Sequence, residues 1–112
     1  MVGGAVDGTA LEAIARLNID LCILGACALS VAGGVGAYDL ADATFKRALA
    51  ARSRRTIVLV TNDKLGEYAP HRVSGVDALS QIVVEHDADP DSVCDLTAAG
   101  ATIVRAGPQA QH

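Results

Sequence analysis

The sequence predicts an α/β domain: a mostly parallel sheet with helices on both faces. Three observations carry that expectation. Short apolar runs, each closed by a turn signal, alternate with segments of helical periodicity, and such alternation implies crossover connections. The helical segments open on capping residues, Thr9, Asp39 and Asp89. The run Thr56 to Val60 is uniformly apolar after its first residue, as expected for a strand covered on both sides.

Thr9-Ala10-Leu11-Glu12 has the form of a capping box. With Leu11, Ile14, Ala15 and Asn18 at helical spacing, it predicts a helix over 9–18. Asp20 begins the run DLCILGACAL, short and closed by Gly-rich sequence, which reads as a buried strand over 20–28. Gly33-Gly34-Val35-Gly36 reads as a loop. Asp39 is placed to cap a second helix running to about Arg52. Ala41, Phe45, Ala48 and Leu49 share one face of it, leaving Lys46, Arg47 and Arg54 to face water. Thr56 to Val60 is the second strand, and residues 64–80 read as loop with a short helical turn. Gln81 to Glu85 is a third strand. Asp89-Pro90 opens a helix to Ala99, stopped by Gly100. Ala101 to Arg105 is a last strand, and the final residues read as a frayed tail.

With 112 residues the chain is long enough for one domain. Hydrophobic residues make up 51% and aromatics 3%, so its core must be built from Ala, Val, Leu and Ile. No apolar run approaches the ~20 residues that cross a bilayer, and the opening MVGGAVDGTA lacks the form of a secretory signal. A cytoplasmic protein without membrane contact is expected. The net charge of -4 argues against direct nucleic-acid binding by this chain. The one basic cluster, Lys46, Arg47, Arg52, Arg54 and Arg55, reads as cations at the end of the second helix. Three cysteines do not suggest a disulfide framework. Cys22 and Cys27 fall in one predicted strand, too far apart to bond. The histidines show no metal-ligand spacing, and neither metal nor cofactor is expected.

In parallel sheets the ligand crevice lies beyond the carboxyl ends of the strands. That brings together Gly25 to Leu29, Gly33 to Gly36, and Thr61 to Gly66. The glycine loop, lying ahead of a helix, reads either as an anion nest or as a flexible turn. It departs from the G-x-G-x-x-G dinucleotide fingerprint, which argues against a nicotinamide cofactor. Lys64 offers a point charge for a phosphate, or is a solvated loop lysine. Asp42 offers acceptors to sugar hydroxyls, or favours a helix N-terminus. The residues alone therefore suggest a phosphate-sized anion site and name no ligand.

The order of these pieces resembles the C-terminal sensor domain of DeoR-family transcriptional regulators. The resemblance is carried by Asp20 to Ala26, by Gly34 opening a turn, by Asp39 to Ala48 (DLADATFKRA), by Ile57 to Val60, and by Lys64-Leu65-Gly66. Val2-Gly3-Gly4 looks like the end of the strand preceding that block. QIVVE and ATIVRA sit where the family has its later strands. The resemblance implies a Rossmann-like fold, similar to ribose-5-phosphate isomerase and CoA transferases. It implies a sensor over residues 1–107, with a disordered tail over 108–112. It also implies an effector-binding function in a repressor of sugar or nucleoside metabolism. The ligand would be a phosphorylated sugar and the DNA contact would belong to a separate helix-turn-helix. Homo-oligomers are expected. By the same likeness Lys64 meets phosphate, while Gly25, Ala26, Cys27, Gly33, Gly34, Gly36 and Asp42 line the sugar. The helix-turn-helix and the family's first sensor segment are expected to precede Val2, making this a partial domain.

The chain departs from the pattern at Ile23, Gly36, Thr61 and Glu85, where the family has Phe, Thr, Asp and Asp. Isomerases of this fold carry acidic residues where this chain has Cys27 and Ala28, so no catalytic residue is expected. Two other readings stand beside the sensor. One is a small isomerase-like enzyme with Asp42 as its base, and the other is an oligomerisation module without ligand.

Overall fold

The computed structural model describes residues 8–107. Along the chain the elements are α1 (Gly8–Ala15), β1 (Ile19–Gly25), β2 (Ala28–Ser30), β3 (Gly34–Ala37) and α2 (Leu40–Ala51). They continue with β4 (Ser53–Leu59), β5 (His71–Ser74), a short 3-10 turn (Val76–Ala78), β6 (Gln81–Val84), α3 (Pro90–Ala98) and β7 (Ile103–Arg105). The expected α/β class holds. Strands β1, β4, β6 and β7 form a parallel sheet in that order, and β2, β3 and β5 form a small antiparallel sheet beside it.

Local chemistry explains the helices. Asp39 caps α2 by accepting from the Ala41 amide, and Asp89 caps α3 by accepting from the amide and hydroxyl of Ser92. Gly100, at φ 99°, ends α3 in the left-handed conformation that glycine tolerates.

Among the described residues the two faces of the parallel sheet differ. Passing from β1 to β4, β6 and β7 the sheet grows in one direction only. Right-handed crossovers then place every connection on the same face. That inner face buries Cys22, Leu24, Val58, Ile82 and Val84 against Ala43 of α2, Leu96 of α3 and Val35 and Val73 of the small sheet. The outer face carries Leu21, Ile23, Leu59 and Val104, which are 44, 57, 47 and 38% exposed. Helix α1 packs against α2.

Other boundaries move for identifiable reasons. The strand expected over 20–28 stops at Gly25. The Ala26 amide makes one last bond to the Leu59 carbonyl, and the chain then leaves for the small sheet. Cys27 therefore lies in the turn, outside the strand that holds Cys22. Of the stretch Gly33 to Gly36 read as a loop, only Gly33 lies in a turn. Gly34–Ala37 is strand β3, fully buried and paired with both β2 and β5. Gly34 has φ 65°, and a Cβ there would lie 2.2 Å from the Ser74 carbonyl oxygen. Helix α2 ends at Ala51, so Arg54 and Arg55 belong to β4 and not to a helix end. Strand β5 lies within the stretch read as loop. The expectations for Val2 to Gly4 and for the tail 108–112 lie outside the described residues.

Candidate functional site

The parallel sheet ends its strands along one edge. There the ends of β1, β4 and β6 border an open cleft of about 410 Å³, lined by Gly25, Ala26, Thr61, Lys64 and Glu85, with Leu59 and Val83 as its floor. Leu59 and Val83 pair across β4 and β6 and belong to the outer face. The cleft thus opens onto the uncovered side of the sheet.

The turn after β4 is shaped by its backbone. The Lys64 and Leu65 amides donate to the Thr61 carbonyl, and the Leu29 amide donates to the Lys64 carbonyl. These bonds fasten the turn to β2 and leave the Lys64 side chain 43% exposed, its ammonium 3.8 Å from Asp63. The Thr61 hydroxyl donates to Asp63 at 2.5 Å. That hydrogen bond, helped by Lys64, holds the Asp63 carboxyl below its ordinary range.

Asn62, which sequence reasoning missed, ties this turn to the end of β6. Its amide donates to Glu85 at 2.6 Å and its side chain to Asp87 at 2.9 Å. The side-chain bond holds the Asp87 carboxyl below its usual value. No local pattern marked Asn62, because its partners lie 23 and 25 residues away.

The other expected site residues fall in two places. Asp42 sits on the first turn of α2, 3.1 Å from Lys46. Lys46 was expected to face water, but its side chain is only 15% exposed. Its ammonium donates to the Gly25 carbonyl at 3.0 Å and lies 3.9 Å from the Cys27 sulfur. One i,i+4 pair thereby anchors the turn after β1, with Asp42 engaged by an internal cation. Gly33, Gly34 and Gly36 lie in or beside the small sheet. The Gly33 amide donates to the Ser30 hydroxyl, and Gly36 pairs with Ala28. Gly34 and Gly36 are thus held in a strand and Gly33 in the turn before it, not in a loop ahead of a helix. Among the described residues, no group of three or more His, Cys, Asp or Glu side chains is arranged to hold a metal ion. No helix there is long and apolar enough to cross a membrane.

A parallel α/β domain with a cleft at its strand ends, a cation on the rim and backbone turns as walls has the build of a small-molecule-binding domain. The sequence agrees at family level. Residues 2–86 match the model of the DeoR C terminal sensor domain, and the chain belongs to that family. It is thereby an effector-sensing domain of the kind found in transcriptional regulators. Helix α3 and strand β7 lie beyond the matched segment. No curated protein matches the chain.

Proposed function

We propose that this domain binds a phosphorylated sugar in the cleft at the carboxyl ends of β1, β4 and β6, and acts as the effector switch of a transcriptional repressor. DNA binding would belong to a separate helix-turn-helix, and the protein would work in the cytoplasm as a homo-oligomer. One observation carries the reading: Lys64 stands half-exposed on the rim of a cleft walled by Gly25 and Ala26. Its backbone is held at both faces of the turn, so the ammonium is presented and not free to swing with the loop. Lys46 cannot serve equally, because Asp42 and the Gly25 carbonyl already occupy its charge. Asp42 is equally unsuited to be the base of an isomerase while it holds that pair.

The test is calorimetric titration with a panel of pentose and hexose phosphates and their unphosphorylated counterparts. Binding is expected for a phosphorylated member only. Lys64→Ala should weaken it about tenfold, the worth of one charge-assisted contact, and Lys46→Ala should weaken it less. Equal loss in both variants, or equal binding of the unphosphorylated sugar, would refute the assignment.

A further inference from the structure

The fold does not account for the basic cluster of the sequence. Arg54 and Arg55 stand on β4 and complement no helix end. Arg52 caps α2, yet its guanidinium reaches off that helix. It donates to the Leu17 carbonyl at 3.0 Å and to the Asn18 side chain at 3.4 Å. That bond brings Arg16, one residue before Leu17, to the same corner. In register, Ile19 lies beside Ser53 and Leu21 beside Arg55. The four arginines therefore gather where β1 and β4 begin.

Little on the molecule occupies their charge. The Arg16 and Arg54 side chains are 78 and 83% exposed, and they sit 3.6 and 3.9 Å from Glu12 and Asp20. Exposure to water leaves such pairs weak. Arg55 is exposed, with no side-chain partner among the described residues. A hollow of about 300 Å³ lies at the corner, lined by Asn18, Ile19, Asp20, Arg52 and Arg54. The opposite edge carries the opposite charge. Between residues 85 and 95 there are five carboxylates and no Lys or Arg, and all of them follow the end of β6. The net charge of -4 is thus the average of two unlike ends. A polyanion meets the local field and not that average.

We propose that this corner gives the domain a DNA contact of its own: it docks on the phosphate backbone without reading sequence, with Arg16, Arg52, Arg54 and Arg55 as the cations. The fork of a guanidinium fits paired phosphate oxygens better than an ammonium does, and the corner is all arginine. Sensor domains of transcriptional regulators, the family of this chain, work beside DNA. An acidic protein is the poorer fit, because no aromatic side chain among the described residues lines the hollow to anchor one. The carboxylates at the far edge are repelled by the same phosphates. The amino edge of the sheet accordingly turns toward the duplex, and the cleft at the carboxyl edge turns away, open to its ligand. With Glu12 and Asp20 set against them, the four arginines neutralise about two to three phosphates. Log K should then fall against log salt with a slope between about -1.8 and -2.7.

Fluorescence anisotropy of a labelled 20-base-pair duplex, titrated with the protein in 20 to 150 mM KCl, tests this. Expected is binding at ~10–100 µM in 20 mM KCl, equal for two unrelated sequences and with that slope. Replacing Arg54→Gln and Arg55→Gln together should weaken it at least tenfold, with circular dichroism unchanged. Two single neutralisations separate the corner from net charge. Asp20 lies at the corner, whereas Asp91 lies on the first turn of α3, at the far edge. Asp20→Asn should tighten binding at least threefold, and Asp91→Asn should change it less than 1.5-fold. Equal effects of the two overturn the proposal. So does a double variant that binds like the parent, or no binding up to 500 µM protein in 20 mM KCl. Polyglutamate bound as tightly as the duplex would make the partner an acidic protein, and a tenfold preference between the two sequences would mean base readout; either outcome overturns the backbone contact. Displacement by low-millimolar inorganic phosphate at constant ionic strength would make the hollow a site for the free ion, and overturns it as well. None of these readouts involves the effector, so this contact and the sugar-phosphate assignment fail separately.

Discussion

The two faces of the parallel sheet are made of the same residue types and live in different environments. On the inner face Val58, Ile82 and Val84 are completely or almost completely buried. On the outer face Leu59, one position from Val58 in β4, and Ile23, between the buried Cys22 and Leu24 in β1, keep about half of their surface in water. The difference is topological. Strands added in a single direction by right-handed crossovers receive all their helices on one side. A run such as IVLV is equally apolar on both sides of the pleat, and nothing in it records which side the chain will cover.

Paired truncations break that comparison most strongly. Ile82→Ala removes a side chain with no exposed surface and should cost about 2–5 kcal/mol, transfer and cavity together. Ile23→Ala, at 57% exposure, should cost under about 1 kcal/mol in the monomer. Urea unfolding at low protein concentration checks both. Similar costs would mean that the outer face is covered in the monomer as well.

Glycine substitutions sharpen the same contrast at somewhat smaller cost. Gly34 needs its positive φ, and a Cβ would strike the backbone of β5 at Ser74. Gly34→Ala should therefore destabilise by about 1–3 kcal/mol. Gly25 ends β1 with nothing within 4 Å of an added Cβ. Gly25→Ala should be neutral, or stabilise by up to about 1 kcal/mol through the unfolded chain. Thermal melts of the two variants distinguish them.

How far the sequence was legible follows from range. The caps Asp39 and Asp89 act within three residues, and the elements they open appeared with small errors at their ends. The four parallel strands were found because each is a compact apolar run. The small sheet was missed because its pieces are three or four residues long and are strands only by virtue of each other. Gly34 reads locally as a loop glycine; its burial between β2 and β5 comes from chain some 40 residues downstream. The site divides the same way. Gly25, Ala26 and Lys64 come together at the cleft because strand ends share an edge by construction. Lys46 was given the wrong side of its helix, because its partners Gly25 and Cys27 lie on another element. Asn62 carried no local pattern at all.

The weakest test concerns the edge where the two faces meet. Asp63 and Asp87 have folded-state pKa values below the ordinary carboxylate, held down chiefly by Thr61 and Asn62 respectively. A depressed folded pKa contributes stability that is complete above the unfolded value, about 3.9. It is lost as pH falls through the lower folded value. Both carboxyls are exposed, so the loss should be small and confined to acid below about pH 4. The inner face offers nothing that titrates there, since its buried members are apolar apart from the Thr56 hydroxyl. Asp63→Asn and Asp87→Asn together should therefore flatten the acid limb of the stability curve below about pH 4, leaving the Ile82→Ala penalty unchanged at either pH. The turn that presents Lys64 would loosen first on acidification, because Asn62 loses the charge on its partner before any core contact is touched. Amide exchange at residues 61 to 66, followed against exchange within β6, reads that order directly. Simultaneous loss in both segments would show that the edge and the core open as one unit.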